Sequence, residues 1–240
     1  MNFTFGICTS GEDTDTLSYM ISSILELYSQ SSYNFEIILV GPKFDIDHPN
    51  IISIDFNEKL RNYVWITKKK NIIIEHAKYD NICFAHDYFY FDKNWLQQWI
   101  IFNNKNSYSV AMNKIYTFEG ERHSDWCINP LDYHKVFPEL HASWDVKLPY
   151  DAGGTTPLMY IAANYWVAKK DFMIKNLMDE TLEWRDAEDV EWSLRIRDNI
   201  TFKINTNSQV RILKKDKWAP KYIKPEYLES LWEAKRNGVI

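Results

Sequence analysis

A carboxylate and an imidazole stand together at the end of one apolar segment of the sequence. His86 and Asp87 directly follow residues 81–85, NICFA, whose short apolar pattern predicts a buried strand. Ligands of open α/β sheets bind beyond the carboxyl ends of strands, so a charged pair is in the expected place there. Asp87 suits a hard cation that diphosphate oxygens also bind. The alternative interpretation is an aspartate that only caps a loop.

A second group of acids, Glu188, Asp189 and Glu191, stands in the first turn of a predicted helix. Three carboxylates there suit the positive end of the helix dipole, which is the structural alternative to a functional role. They cannot all face solvent on one helix, and Trp184 and Trp192 flank them. We therefore expect at least one carboxylate beside apolar surface, where burial would raise its pKa and make it a usable general base.

A loose set of metal-ligand residue types also occurs at His123, Cys127, His134 and His141. These residues lack the close pair spacing of structural zinc sites, which disfavours zinc. One of the histidines could instead supply a ligand to a metal bound elsewhere.

The N-terminal half must position the first group, and it alternates β-rich apolar runs with helical stretches. This alternation predicts βα units and a mainly parallel sheet. Lys68, Lys69, Lys70 and Asn71 are expected on the polar face of one of the helices. Strands are predicted at 3–8, 36–40, 51–56 and 81–85, and helices from Thr14 or Asp15, at 64–77 and at 94–102.

The pattern is less regular in the second half. Gly153 and Gly154 form the only glycine pair of a glycine-poor chain and suggest a position where a side chain would obstruct something. The helix at 225–238 is expected to dock on the rest of the chain. Strands are predicted at 108–112 and 160–168, a polar and aromatic stretch at 119–151, and helices at 171–178, 187–198 and 225–238.

Composition excludes several classes of protein. The 240 residues suit one large domain or one domain with an appendage, and the net charge of −5 provides no general attraction for nucleic acid or anionic membranes. No apolar run approaches about 18 residues, so no integral membrane segment is expected. Three widely spaced cysteines favour a reducing compartment, and we expect a cytoplasmic protein.

The order of elements and these residues resemble the GT-A glycosyltransferases, most nearly the family 2 type, which use nucleotide-diphosphate-sugar donors. The resemblance covers roughly residues 3–200 and rests on FGICTSGED, on KKKN followed by alanine six positions later, on YDNICFAHDYFYFDKNWL and on EDVEW-x2-R. About 100 residues separate Asp87 from Asp189, which matches the family's interval between its metal motif and its catalytic acid.

The resemblance implies an α/β chain with the GT-A fold, a Rossmann-like nucleotide-diphospho-sugar transferase fold whose mainly parallel central sheet is flanked by helices. It divides the chain into a single domain at 1–215 and a C-terminal helical appendage at 216–240. Within the domain, 1–112 would be the nucleotide-binding half and 113–215 the acceptor-binding half.

The resemblance also implies a metal site. Asp87 matches the last aspartate of the family's Asp-x-Asp motif, which binds Mn²⁺ or Mg²⁺ bridging the donor diphosphate. The motif reads Ala85-His86-Asp87 here, so the first aspartate is missing. Two alternatives follow: His86 partly substitutes for it, or the metal is weakly held.

The resemblance assigns the remaining site residues by position. Asp189 matches the catalytic base, with Glu188 beside it and Arg195 as its orienting partner. The loop after the first strand would receive the base and ribose, and the glycine pair would lie near the donor sugar and the acceptor. The expected donor-binding set is Thr9, Gly11, Glu12, Gly41, Lys68, Asn71, His86, Asp87, Gly153, Gly154, Glu191 and Arg195.

The implied reaction is metal-dependent, inverting transfer of a sugar from a UDP-sugar to an acceptor hydroxyl, with Asp189 as the general base. Arg211, Lys214 and Lys215 could close over the diphosphate, or form an ordinary solvated surface. A cleft lined by aromatic side chains is also expected between Asp87 and Asp189. Its members would be Tyr88, Trp126, Tyr133, Trp144, Tyr150, Trp166, Trp184 and Trp192.

Two other functions remain open. A degenerate, non-catalytic module that binds sugar nucleotides or carbohydrate is possible because the first aspartate of the motif is missing. A sugar nucleotidyltransferase is disfavoured, since such enzymes open with a glycine-rich basic loop. This chain has one glycine and two acids in Ser10-Gly11-Glu12-Asp13.

Overall fold

The first half of the chain alternates strands and helices as its sequence pattern predicts. The structure is a computed structural model and describes residues 1–61, 63–138, 146–151, 158–162, 164–214, 221–223 and 225–240. The elements of this half are β1 (Phe3–Cys8), α1 (Thr14–Tyr28), β2 (Phe35–Gly41), β3 (Ile51–Asp55), α2 (Ile66–His76), β4 (Asn81–His86), β5 (Phe89–Phe91), α3 (Trp95–Lys105) and β6 (Val110–Tyr116).

The second half contains shorter elements. They are β7 (Cys127–Ile128), α4 (Pro130–Val136), β8 (Val146–Lys147), β9 (Met159–Tyr160), β10 (Tyr165–Lys169), α5 (Lys170–Lys175), α6 (Glu188–Arg197), β11 (Lys203–Ile212), β12 (Lys221–Tyr222) and α7 (Pro225–Arg236). The single strand expected at 160–168 is two strands, β9 and β10. Strand β11 was not expected, because the polar run NTNSQ in its middle hides any alternation of apolar residues.

Eight strands form one sheet in the order β3-β2-β1-β4-β10-β6-β11-β5. β1 pairs in parallel with β2 and β4, and β2 pairs in parallel with β3. β10 is antiparallel to both of its neighbours, and β11 is parallel to β6. The expected α/β architecture, a sheet with many parallel pairs and flanking helices, is confirmed.

The position of the site follows from the pairing of β1 with β4. Cys8 is the register partner of His86, so the two strands end side by side. Thr9 and Asp87, the next residues of each strand, therefore meet at the same edge of the sheet. The chain order reverses between these two strands, and such a reversal leaves a crevice at the carboxyl ends.

Helix α2 carries two lysines on its buried face. Ile66, Ile73 and Ile74 form its apolar stripe, and Lys69 and Lys70 occupy the same stripe with only 1% of each residue exposed. The expectation that both lysines lie on a polar, solvated face was wrong. Positions 66, 69, 70, 73 and 74 share one face at helical spacing, whichever residue types occupy them.

The C-terminal helix α7 packs against α4. The ring centroid of Tyr227 lies 4.8 Å from that of Phe137 and 6.5 Å from that of Tyr133. β12 pairs with β8 in a second sheet of four short strands, in the order β12-β8-β7-β9. Among the helices of the described ranges, none is both long and apolar enough to cross a bilayer.

Candidate functional site

A cavity of about 550 Å³ opens where β1 and β4 end. Its volume lies within the usual range of small-molecule sites, about 300–1,000 Å³. The lining residues, grouped by segment, are Cys8, Thr9 and Ser10; Val64, Ile66 and Lys69; His86, Asp87 and Tyr88; His123 and Ser124; Tyr160, Ala162 and Asn164; and Trp184, Asp189 and Lys214.

Asp87 is held between a hydroxyl group and an ammonium group. Thr9 Oγ1 donates a hydrogen bond of 2.7 Å to Asp87 Oδ2, and it accepts one from the Gly11 amide. Lys214 Nζ lies 3.9 Å from Asp87 Oδ1. Only 6% of Asp87 is exposed, so these contacts fix its orientation at the edge of the cavity.

Lysine ammonium groups surround the end of β4. Lys69 Nζ donates a 2.8 Å hydrogen bond to the Thr9 carbonyl, and burial lowers the pKa of this lysine. Burial also lowers the pKa of His86 to about 3, and Lys70, Lys69 and Lys214 all act in the same direction. His86 is therefore neutral at physiological pH, and three lysine ammonium groups lie close enough to disfavour its charged form.

The N-terminus of α6 separates its two adjacent carboxylates. Ala187, the residue before the helix, is left-handed with φ 54°. Asp189 is partly exposed and lines the cavity, and its Oδ1 accepts from the amide of Val190. Glu188 is only 2% exposed and does not line the cavity.

Glu188 forms a buried ion pair with Lys70. The distance from Lys70 Nζ to Glu188 Oε1 is 3.9 Å, too long for a hydrogen bond. Burial raises the pKa of Glu188 to about 7, although Lys70 opposes the shift. The raised pKa expected of one acid in this turn therefore belongs to Glu188, whereas Asp189 is the acid that a ligand in the cavity can reach.

The structure brings together four of the predicted site residues, Thr9, His86, Asp87 and Asp189, in the cavity lining. Glu188 lies directly behind them. Seven other predicted residues do not line this cavity: Gly11, Glu12, Gly41, Lys68, Asn71, Glu191 and Arg195. Gly153 and Gly154 lie outside the described residues, as do His141, Trp144 and Lys215.

Lys68 and Asn71 bind the segment after α5 instead of the cavity. Lys68 Nζ lies 3.0 Å from a carboxylate oxygen of Glu180. The amide of Asn71 donates to the Met178 carbonyl and to Glu180, and its oxygen accepts from the Met178 amide. Both residues thus join α2 to a neighbouring loop.

Arg195 does not face the cavity either. It donates to the carboxylate of Glu191, four residues before it on α6, and to the Leu177 carbonyl. Of the basic residues expected over a diphosphate, Arg211 donates to the Phe118 carbonyl, and Lys214 lines the cavity.

The two predicted glycines shape the loops beside the cavity. A Cβ atom on Gly41 would lie 2.4 Å from the carbonyl oxygen of Thr9, so only glycine lets β2 approach the end of β1 this closely. Gly11 has φ +76°, and a Cβ there would meet Pro42 at 2.4 Å.

Sequence reasoning missed Lys69 as a cavity residue. The signal was present, because its spacing from Ile66 and Ile73 places it on the apolar stripe of α2. Ser124 and Tyr160 line the cavity without any local signal that points to a site, and His123, one of the histidines considered as a metal ligand, lines it as well.

The predicted aromatic lining was largely wrong. Trp144 lies outside the described residues, and of the seven others only Tyr88 and Trp184 line the cavity. Tyr150 lies under the Arg122 guanidinium at 3.8 Å. Four others, Trp126, Tyr133, Trp166 and Trp192, are buried in the apolar core. Most of the aromatic surplus therefore fills the core.

The residues around Asp87 do not fit the expected Mn²⁺ or Mg²⁺ ion. Among the described residues, no group of three His, Cys, Asp or Glu side chains could hold a metal. β4 delivers one carboxylate, whose oxygens face the Thr9 hydroxyl and the Lys214 ammonium. His86 Nε2 is buried without a hydrogen-bond partner in the described part of the chain, but lysines surround it. Mg²⁺ is usually bound by one or two carboxylates together with substrate phosphates, and here the single carboxylate already pairs with a lysine, so we assign no step to a metal.

Comparison with known proteins supports the fold. No protein-family model matches the sequence. No curated protein matches it either. The crystal structure of S. aureus TarS 1-349 matches with a TM-score of 0.55 at 14% identity, covering 96% of this chain and 63% of TarS 1-349. This chain therefore spans less than two thirds of the length of that structure.

Two ligand complexes of the same protein match equally well. TarS 1-349 in complex with UDP gives a TM-score of 0.55 at 12% identity, covering 96% of this chain and 63% of that one. The complex with UDP-GlcNAc gives 0.56 at 13%, covering 96% and 61%. The expected fold is confirmed, and at this identity the likeness shows the fold alone.

Proposed function

We propose that the protein is a glycosyltransferase that moves a sugar from a UDP-sugar to an acceptor hydroxyl with inversion at the anomeric carbon. One observation carries the proposal: the partly exposed carboxylate of Asp189 lines the same cavity as Asp87 and two lysines, at the carboxyl ends of β1 and β4. The fold shared with TarS, which has been crystallised with UDP and UDP-GlcNAc, supports this class of donor.

In the proposed reaction, Asp189 accepts the proton of the acceptor hydroxyl. The hydroxyl oxygen forms a bond to the anomeric carbon from the face opposite the diphosphate. The bond between that carbon and the diphosphate oxygen breaks, and the leaving nucleoside diphosphate keeps the electron pair. The cavity contributes by holding donor and acceptor in line, which removes much of the entropic cost of their encounter.

A protein that binds sugar nucleotides without turnover is the second candidate. The observation that favours it is Ala85, which stands in β4 where the resembled family has an aspartate. A ligand cavity with a single strand-end carboxylate is compatible with binding alone.

The test is release of nucleoside diphosphate from a panel of sugar nucleotides, each with and without Mn²⁺. We expect release by the parent chain, and a loss of at least about 100-fold in Asp189→Asn, because loss of a general base typically costs 10²–10⁴ in rate. Asp198→Asn is the matched control, since Asp198 is an exposed acid at the other end of α6.

The other outcomes identify the alternatives. Binding of sugar nucleotides with no release of any product would establish the non-catalytic protein. Release of pyrophosphate would indicate a nucleotidyltransferase. Full activity in Asp189→Asn would overturn the assignment of the base.

A further inference from the structure

We propose that Lys214 supplies the positive charge to which the diphosphate of the donor binds, so that the chain binds a nucleoside diphosphate without a divalent cation. Asp87 is then a positioning residue that holds Lys214 over the cavity. The inference rests on the proposed function and deepens it, because it concerns how the same site holds its substrate.

The fold delivers Lys214 to the end of β4. Lys214 stands two residues after β11, and the preceding residue, Leu213, donates a 2.8 Å hydrogen bond to the Tyr88 carbonyl. The Lys214 ammonium lies 5.0 Å from the centre of the Tyr88 ring and 3.9 Å from Asp87 Oδ1. The backbone that carries the lysine is thus tied to the residue that follows Asp87.

Lys214 remains available to a ligand. Its side chain is 46% exposed, whereas that of Asp87 is 8% exposed, and it lines the cavity. At 3.9 Å the pair is ionic and is not joined by a hydrogen bond, so the ammonium hydrogens are not committed to Asp87. A phosphate oxygen can accept them without breaking a hydrogen bond to Asp87.

The charges around this point favour an anion. A second ammonium group lies near Asp87, because Lys69 Nζ is held at the carbonyl of Thr9, whose hydroxyl binds Asp87. The diphosphate of a sugar nucleotide carries two negative charges and would be attracted to this position.

A dication would meet the opposite conditions. It would have to share one carboxylate with the Lys214 ammonium, and like charges at such short distances repel each other. The inference accounts for both the missing first aspartate and the presence of Lys214. The Lys214 ammonium neutralises the charge of the diphosphate, for which the resembled family uses a metal ion.

Calorimetric titration of the intact chain with UDP tests the inference without relying on turnover. In EDTA the parent is expected to bind UDP. Replacing the EDTA with about 1 mM Mn²⁺ should change the Kd for UDP by less than about 3-fold. Lys214→Met should weaken UDP binding in EDTA by about 10-fold or more, the usual effect of losing a charge-assisted hydrogen bond. Lys214→Arg should restore most of the affinity.

Two controls separate charge from folding. Uridine, which has no phosphate, should bind Lys214→Met as well as the parent. Lys105→Met, which removes an exposed lysine at the end of α3, should bind UDP as the parent does.

The outcomes distinguish this inference from the proposed function. If UDP binds only with Mn²⁺, or if Lys214→Met binds it normally in EDTA, the inference is overturned while the proposed function stands. If UDP, GDP, CDP and dTDP all fail to bind under both conditions, the proposed function itself fails.

Discussion

The adjacent carboxylates Glu188 and Asp189 have different surroundings, and the difference assigns them different tasks. Glu188 is buried beside Lys70, whose ammonium is 4.5 Å from the centre of the Trp166 ring. Asp189 faces the cavity. A buried pair of this kind orients the start of α6, and removal of one partner leaves the other charge buried and unpaired.

Glu188 should make stability depend on pH. Its pKa is raised from 4.5 to about 7 in the folded chain, so the native state binds a proton more tightly than the unfolded state. Its contribution to stability is therefore fully present at low pH and is lost as pH rises through about 7. Between pH 5 and pH 8, we expect the unfolding free energy of the parent to fall by on the order of 1–3 kcal/mol relative to that of Glu188→Gln.

Urea unfolding of both proteins at four pH values measures this difference. Asp198→Asn serves as the control, and its stability should follow that of the parent across the range. A parent that gains stability relative to Glu188→Gln as pH rises would show that Glu188 is charged and well paired in the folded chain.

At the scale of elements, the site depends on how closely β1, β2 and β4 approach one another at their carboxyl ends. Thr9 joins the three strands: its carbonyl faces Gly41 of β2, and its hydroxyl binds Asp87 after β4. Lys69 of α2 donates to the same carbonyl. A change in any one of these elements therefore moves the others.

Gly41→Ala tests this coupling. The new methyl group would lie 2.4 Å from the Thr9 carbonyl oxygen, and the backbone must shift to accept it. We expect a loss of about 1–3 kcal/mol in unfolding free energy, the typical cost of overpacking. UDP affinity should fall as well, because the shift moves Thr9 away from Asp87.

Gly120→Ala is the matched control for this substitution. Gly120 has φ +89°, but a Cβ there would meet nothing within 4 Å. It should cost roughly 1 kcal/mol through backbone strain alone and leave UDP affinity unchanged. Equal effects of the two substitutions on UDP binding would contradict the coupling.

At the scale of the whole molecule, the question is whether residues 216–240 form an appendage or a part of one folding unit. Leu231 of α7 is fully buried and belongs to the same apolar cluster as the central sheet. Its neighbour Tyr227 packs against Phe137 after α4. These contacts favour a single cooperative unit.

Leu231→Ala distinguishes the two arrangements. If α7 is part of the main unit, the substitution should lower the free energy of unfolding by about 2–5 kcal/mol, with circular dichroism and tryptophan fluorescence reporting one transition. Val239→Ala, at an exposed position, should change little. A separate early transition for α7, with the main one unmoved, would support an independent appendage.

The local sequence pattern was sufficient to predict the strands and helices around the site. The bounds of β1 through β4 follow from short apolar runs, and so does the position of Asp87 directly after β4. The helical pattern placed Asp189 in the first turn of α6. The helical spacing of Lys69 and Lys70 from the buried isoleucines of α2 also indicated that both are buried, although lysine is usually an exposed residue type. These features depend on neighbours a few positions away, so the sequence reports them directly.

Long-range packing decided the rest. Lys214 meets Asp87 across 127 positions, and Glu188 meets Lys70 across 118, as their numbering gives. Such contacts depend on strand order and on the direction in which each chain segment leaves the sheet, and no local periodicity encodes either. For this reason the sequence by itself predicted at which ends of strands and helices the charged groups lie. Only the tertiary structure showed which acid is buried, which lysine faces the cavity and how few aromatic rings line it.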